Sequence, residues 1–155
     1  MEKYFIVRIA WVFGINGKNF INTMLNLGLT HDRLTVVSDQ IGTPTYTYDL
    51  SRLLVDMAES DKYGIYHATN EGGYISWYDF TVEIMKQAAK YNDKYSKVEV
   101  LPVGSDMYPA KAKRPSNSRM DKSKLKNQGF EPLPDWKDAL SRYLQQKMEI
   151  ENGTN

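Results

Sequence analysis

Apolar positions along this chain fall into short blocks whose period switches between about two and about 3.6 residues. Tyr4 to Ile9 is aromatic and β-branched and predicts a buried strand. Gly14-Ile15-Asn16-Gly17 is a turn cluster, and Asn19 is placed as the N-cap of a helix. In that helix Phe20, Met24 and Leu27 recur at helical spacing, with Ile21 and Leu25 broadening the stripe. Leu34 to Val37 predicts a second strand. Thr47 then reads as the N-cap of the clearest helix, where Leu50, Leu53, Leu54 and Met57 follow the i, i+3, i+4, i+7 template.

Ile65 to Ala68 predicts another strand, ending in the loop Asn70 to Gly73. Ser76-Trp77-Tyr78-Asp79 has the form of a capping box with Asp in place of Glu or Gln, opening a helix with Phe80, Ile84 and Ala88 on one face. Val98 to Val103 predicts a strand broken by Pro102. Ser105 to Ser118 holds Pro109, Pro115, Lys111, Lys113 and Arg114 without an apolar period, so it reads as an ordered loop or a mobile lid. Leu125 marks a short helix stopped by Gly129. Trp136, Leu140, Tyr143 and Leu144 mark the last one, and the final residues read as a frayed tail.

Strands alternating with helices predict an α/β fold. A complete doubly wound sheet needs more parallel strands and a glycine-rich first turn. The nearest spacing, Gly14-x-x-Gly17, lacks the preceding Gly-x-Gly that brings backbone against a pyrophosphate. The expectation is one α/β unit over residues 1–150 with an incomplete sheet and an exposed edge, and a disordered tail over 151–155.

With 41% hydrophobic and 25% charged residues, the 155-residue chain has the composition of an ordinary globular domain. A formal net charge of +1 argues against a nucleic-acid partner and leaves room for a small anionic ligand. Absence of cysteine excludes disulfides, thiolate metal sites and a cysteine nucleophile. The apolar run Tyr4 to Val7 is too short for a signal peptide or membrane span. A cytoplasmic domain with no membrane partner is expected.

Four places offer chemistry. Trp11 follows the first strand, where an indole serves to stack on a sugar or base, or simply caps the sheet as a core residue. The turn from Gly14 to Phe20 leads into a helix whose first N–H groups suit phosphate, with Asn19 as an added donor; the plain reading is a turn and an N-cap. Gln40, Thr43 and Thr45 present polar atoms on a connection shaped by Gly42 and Pro44. Arg114, beside Tyr108-Pro109, has the fork that binds a diphosphate, whereas Lys111, Lys113 and Lys122 read as solvated. His31 and His67 have no metal-ligand spacing. Tyr143 and Lys147 spell Tyr-x-x-x-Lys, a match that chance supplies in a chain with 11 tyrosines, and Tyr143 lies on an apolar stripe. The pair is rejected as catalytic.

Taken together, several blocks resemble the second half of dTDP-4-dehydrorhamnose reductases, in the extended short-chain dehydrogenase family. Arg8, Trp11 and Gly14 match that family's Arg-x-Ser-Trp-x-Tyr-Gly, with Ala10 and Phe13 as departures. Asn19, Phe20, Thr23, Met24 and Leu25 match the next block, and Asp39, Gln40, Gly42, Pro44 and Thr45 match Asp-Gln-x-Gly-x-Pro-Thr. Gly64, Tyr66, His67, Ser76-Trp77-Tyr78, Tyr108-Pro109, Arg114-Pro115 and Trp136 continue the match over nearly the whole chain.

The resemblance implies the C-terminal part of an NAD(P)-binding Rossmann-type enzyme, carrying substrate-binding helices. That enzyme reduces the 4-keto group of dTDP-4-dehydro-L-rhamnose to dTDP-L-rhamnose for polysaccharide biosynthesis. NADPH or NADH supplies hydride there, and a Tyr-x-x-x-Lys tyrosine the proton. No catalytic, cofactor-binding or metal-binding residue is assigned to this chain, and a Mg2+ requirement is left open. Its implied partners are the dTDP-sugar, the N-terminal cofactor-binding half, and a second copy in a homodimer. The substrate-binding residues implied are Trp11, Asn19, Phe20, Gln40, Gly42, Thr43, Tyr108 and Arg114. The alternative is a non-catalytic nucleotide-sugar-binding or regulatory subunit.

Overall fold

The computed structural model describes residues 2–109 and 111–153. In chain order the elements are β1 (Phe5–Arg8), β2 (Val12–Phe13), α1 (Phe20–Thr30), β3 (Arg33–Val37), β4 (Ile41–Gly42), β5 (Thr45–Tyr46) and α2 (Thr47–Ala58). Then follow β6 (Gly64–His67), β7 (Asn70–Glu71), β8 (Ile75–Ser76), α3 (Trp77–Ala88), β9 (Glu99–Val103), α4 (Ser123–Asn127), β10 (Leu133–Asp135) and α5 (Trp136–Glu151). The strands meet in pairs. β1 with β6, β2 with β5, β3 with β9 and β7 with β10 are parallel, and β4 with β8 is antiparallel.

Two cores form between these pairs and the helices. Phe13, Ile21, Leu25, Val36, Phe80, Ile84, Leu140 and Tyr143 join α1, α3 and α5 to β3. Leu50, Leu53, Met57, Tyr66 and Leu125 join α2 and α4 to the β1–β6 pair. The capping box of α3 is present: Ser76 Oγ accepts from Asp79 N–H at 3.0 Å, and Asp79 Oδ2 accepts from Ser76 N–H at 2.8 Å. α4 unwinds at Gly129, whose φ of +80° is the left-handed stop that glycine tolerates.

Several expectations change. The strand at Tyr4 to Ile9 is half-buried: Phe5 and Val7 pack inward, while Ile6 stays 49% exposed, because only one face of the pair is covered. Thr47 is the first helical residue of α2 instead of its cap, since strand pairing of Thr45 and Tyr46 runs straight into the helix. Leu54 falls outside the buried stripe of α2. Pro102 does not break β9. Glu99 N–H and Val103 C=O bond toward β3, at 2.8 and 2.9 Å, so the alternate residue Pro102 turns its missing donor away. α5 includes Glu151, and Gly153 N–H donates to Ile150 C=O, so order continues into the expected tail; residues 154 and 155 lie outside those described.

The expected incomplete sheet is found. Among the described strands β1 pairs with β6 alone, which leaves its other edge carrying unpaired backbone groups beside Ile6. Such an edge templates pairing with another chain. The isolated chain is therefore expected to self-associate as its concentration rises, read by sedimentation velocity. A sharply cooperative monomer at every concentration would count against it.

Candidate functional site

β1 ends at Arg8, and the chain turns just beyond it at Ala10 and Trp11, where Thr45 clamps it: Thr45 N–H donates to Trp11 C=O at 3.1 Å and its hydroxyl to Ala10 C=O at 2.7 Å. The turn swings the Trp11 indole out over a cavity of about 750 Å³. α1 supplies one wall through Phe20, Met24 and Leu27, and β3 another through Thr35, Val36 and Val37. Gln40, Trp77, Tyr108, Arg114 and Ser118 complete the rim. A second cavity of about 740 Å³ shares Gln40, Tyr108, Arg114 and Pro115 with the first, so the two form neighbouring chambers along one segment. Each lies within the usual range for small-molecule sites.

The segment expected to be an ordered loop or a lid is pinned at three points. Asp39 accepts from Ser105 N–H at 3.0 Å and from Ser105 Oγ at 3.0 Å. The Tyr108 hydroxyl donates to Thr35 C=O at 3.2 Å and also meets the Thr35 hydroxyl. Ile41 exchanges backbone bonds with Ser116 and Ser118. The Ser105 backbone bond holds the Asp39 carboxyl below the usual carboxylate range. A depressed folded-state pKa adds stability above the unfolded value of about 3.9 and loses it as pH falls through the folded value. Ser105 anchoring should thus be flat from about pH 7 to about pH 5 and vanish only below the ordinary carboxylate range. The Ser105 amide signal followed against pH checks this, and Asp39→Asn should abolish the transition.

The geometry sorts the sequence-derived candidates. Trp11, Phe20, Gln40, Tyr108 and Arg114 converge on the first cavity from separate segments. Gly42 touches it only through Trp11, against whose ring its backbone lies. Asn19 and Thr43 go elsewhere. Asn19 caps α1 by accepting from Asn22 N–H at 3.0 Å, while its amide donates to Gly14 C=O and to Tyr143 Oη; it lines a separate recess of about 230 Å³. The Thr43 hydroxyl donates to Gly73 C=O at 2.9 Å, beside a recess of about 340 Å³ that Lys122 also lines. Lys122 is not the solvated cation expected. Its side chain is 11% exposed, donates to Asn70 C=O, and has its pKa lowered by burial, against the pull of Glu71.

Arg114 is exposed and makes no hydrogen bond or ion pair with another described residue, so its guanidinium is available. Tyr143 is buried; its hydroxyl donates to Asn22 Oδ1 at 2.7 Å, and Lys147 pairs with Glu151. Those two side chains serve packing and a surface ion pair. Among the described residues no group of three or more acidic, histidine or cysteine side chains is placed to hold a metal. No helix there is long and apolar enough to cross a membrane.

Sequence reasoning missed Trp77, Thr35 and the role of Met24 and Leu27. Trp77 drew notice only as part of a helix start. The available signal was α1, whose apolar arc is wider than its core needs: Ile21, Leu25 and Gly28 are buried, and Phe20, Met24 and Leu27 form a second stripe, turned to the cavity.

The sequence matches the RmlD substrate binding domain family over residues 1–149. The chain belongs to that family. A dTDP-4-dehydrorhamnose reductase of Aggregatibacter actinomycetemcomitans is 41% identical over an alignment of 145 residues that covers 89% of this chain and 49% of that protein. A crystal structure of a dTDP-4-dehydrorhamnose reductase from Clostridium acetobutylicum superposes with a TM-score of 0.86 at 40% identity, over 94% of this chain and 49% of the other. One from Bacillus anthracis, in complex with NADP, gives 0.82 at 38% identity, over 93% and 48%. This RmlD-family chain therefore has the fold of extended short-chain reductases and spans about half the length of the curated relatives it matches.

The start of α1 offers no open site for a dinucleotide phosphate. The Gly14–Gly17 turn leads into α1, where the Asn19 side chain already occupies the position an incoming phosphate would need.

Proposed function

We propose that this chain is the substrate-binding portion of an NAD(P)H-dependent dTDP-4-dehydrorhamnose reductase. It holds dTDP-4-dehydro-L-rhamnose in the paired cavities while the 4-keto group is reduced for polysaccharide synthesis in the cytoplasm. The observation that carries this reading is the convergence of Trp11, Phe20, Gln40, Tyr108 and Arg114 on one cavity. Their chemistry suits the parts of such a ligand. Arg114, without a partner among the described residues and at the junction of the two chambers, offers a planar fork to the diphosphate. Trp11 presents a flat apolar surface to the sugar. Gln40 offers both a donor and an acceptor to the nucleoside.

The nicotinamide, when bound, supplies the hydride. Its binding and the proton-donating pair are assigned to the part of the enzyme that this chain does not supply, as is any Mg2+ site. The residues here bind and orient the ligand, and a homodimer is the assembly proposed for the whole enzyme.

Titration of the isolated chain with dTDP and with dTDP-L-rhamnose, by calorimetry and by chemical-shift mapping, tests the reading. Both should bind weakly, with shifts at Trp11, Gln40, Tyr108 and Arg114. Saturating dTDP-L-rhamnose that leaves all four untouched would remove the proposal.

A further inference from the structure

Among the described residues other than glycine, only Trp11 has a positive φ, +50°. L side chains rarely adopt that conformation, so something must hold it. The backbone is held by Thr45, through the bonds to Ala10 and Trp11 already described. The ring is held from two other directions. A Cβ built on Gly42 would lie 2.9 Å from Trp11 Cε2 and 3.1 Å from Nε1, so the bare glycine backbone presses against that edge. Trp77 stacks on Trp11 with ring centroids 3.7 Å apart and planes 17° from parallel.

Trp77 itself has little freedom. It is the first residue of α3, held inside the capping box between Ser76 and Asp79, and Phe20 packs on it at 4.5 Å. Phe20 in turn stacks on buried Phe80 at 5.7 Å. A chain of aromatic contacts thus ties the Trp11 indole to the core.

We propose that Trp77 is a positioning residue: by fixing the plane of the Trp11 indole it sets the surface offered to the sugar of the bound nucleotide-sugar. This rests on the functional reading above and adds to it a residue governing recognition of the glycosyl group through Trp11. Plain packing makes a different forecast. A Trp77 that only stabilises the fold would, when replaced, weaken every ligand alike.

The chain contains three tryptophans, so its indole N–H spectrum has one signal each for Trp11, Trp77 and Trp136, the last being buried in the core. In Trp77→Phe the Trp11 signal should move, because a stacked ring current is lost, while the Trp136 signal stays. Affinity for dTDP-L-rhamnose should fall about three- to tenfold and affinity for dTDP by less than about twofold. Gly42→Ala leaves Trp77 in place and displaces the ring from its other side; it should show the same selectivity, and keeps the test alive if Trp77→Phe unfolds. Equal weakening of both probes, or unchanged affinity for both in either variant, overturns the proposal. Wild-type protein that binds neither probe overturns the functional reading, and this one with it; wild-type binding with unaltered variants overturns this one alone.

Discussion

Asp49→Ala is expected to lower the unfolding free energy by about 2–4 kcal/mol, read from urea denaturation. Asp49 lies in the first turn of α2 and is 6% exposed. Arg142 on α5 grips it with two bonds, Nη1 to Oδ1 at 2.9 Å and Nη2 to Oδ2 at 2.8 Å. Asn70 adds a third, from Nδ2 at 2.8 Å, and holds Tyr46 N–H with its own Oδ1. Removing the carboxylate strands these donors where α2, α5, β5 and β7 meet. The figure sits below the usual 3–5 kcal/mol for a fully buried pair, because Arg142 keeps Asp138 and is partly open to water. Asp49→Asn retains shape and one acceptor, so it should lose less. A loss under about 0.5 kcal/mol for the alanine variant, the scale of ordinary surface changes, would show that the network is not structural.

The second large effect concerns the ligand. Arg114→Ala should weaken dTDP by about 1.5–3 kcal/mol, or about 10- to 150-fold, if the guanidinium holds the diphosphate. Because Arg114 has no partner among the described residues, the same variant should leave the urea midpoint where it was. Arg114→Lys should recover only part of the affinity, since an ammonium cannot make the paired bonds of the planar fork. Added salt should erode the wild-type affinity more than that of the variant. Unchanged dTDP affinity in Arg114→Ala would move the diphosphate away from this residue.

The elements were legible where local rules decide them. The capping box at Ser76–Asp79, the N-cap at Asn19 and the stop at Gly129 are written within a few residues of where they act. Helical periodicity placed α1, α2, α3 and α5, because a stripe repeating every 3.6 residues has one stable arrangement on a core. Errors came where a partner strand or helix decides. Whether Tyr4 to Ile9 is buried on one face or two depends on its neighbours, and the tolerance of Pro102 depends on which side of β9 is paired.

The site divides the same way. Sequence alone named Trp11, Gln40, Tyr108 and Arg114, residue types with chemistry to offer beside turns and prolines. It also determined that these 155 residues hold no cysteine and no glycine fingerprint. Tertiary structure decided which of these side chains are free to act. Asn19 and Thr43 have the right atoms, but their hydrogen bonds are consumed by Gly14, Tyr143, Asn22 and Gly73. Lys122 looked like a surface cation and lies 11% exposed against Asn70 and Glu71. Trp77 joined the candidate site only because α3 brings its ring centroid 3.7 Å from that of Trp11, a residue far earlier in the chain. Side-chain type and local spacing are properties of a segment, whereas the consumption of a hydrogen bond or the stacking of two rings requires both partners in place, and folding alone supplies the second.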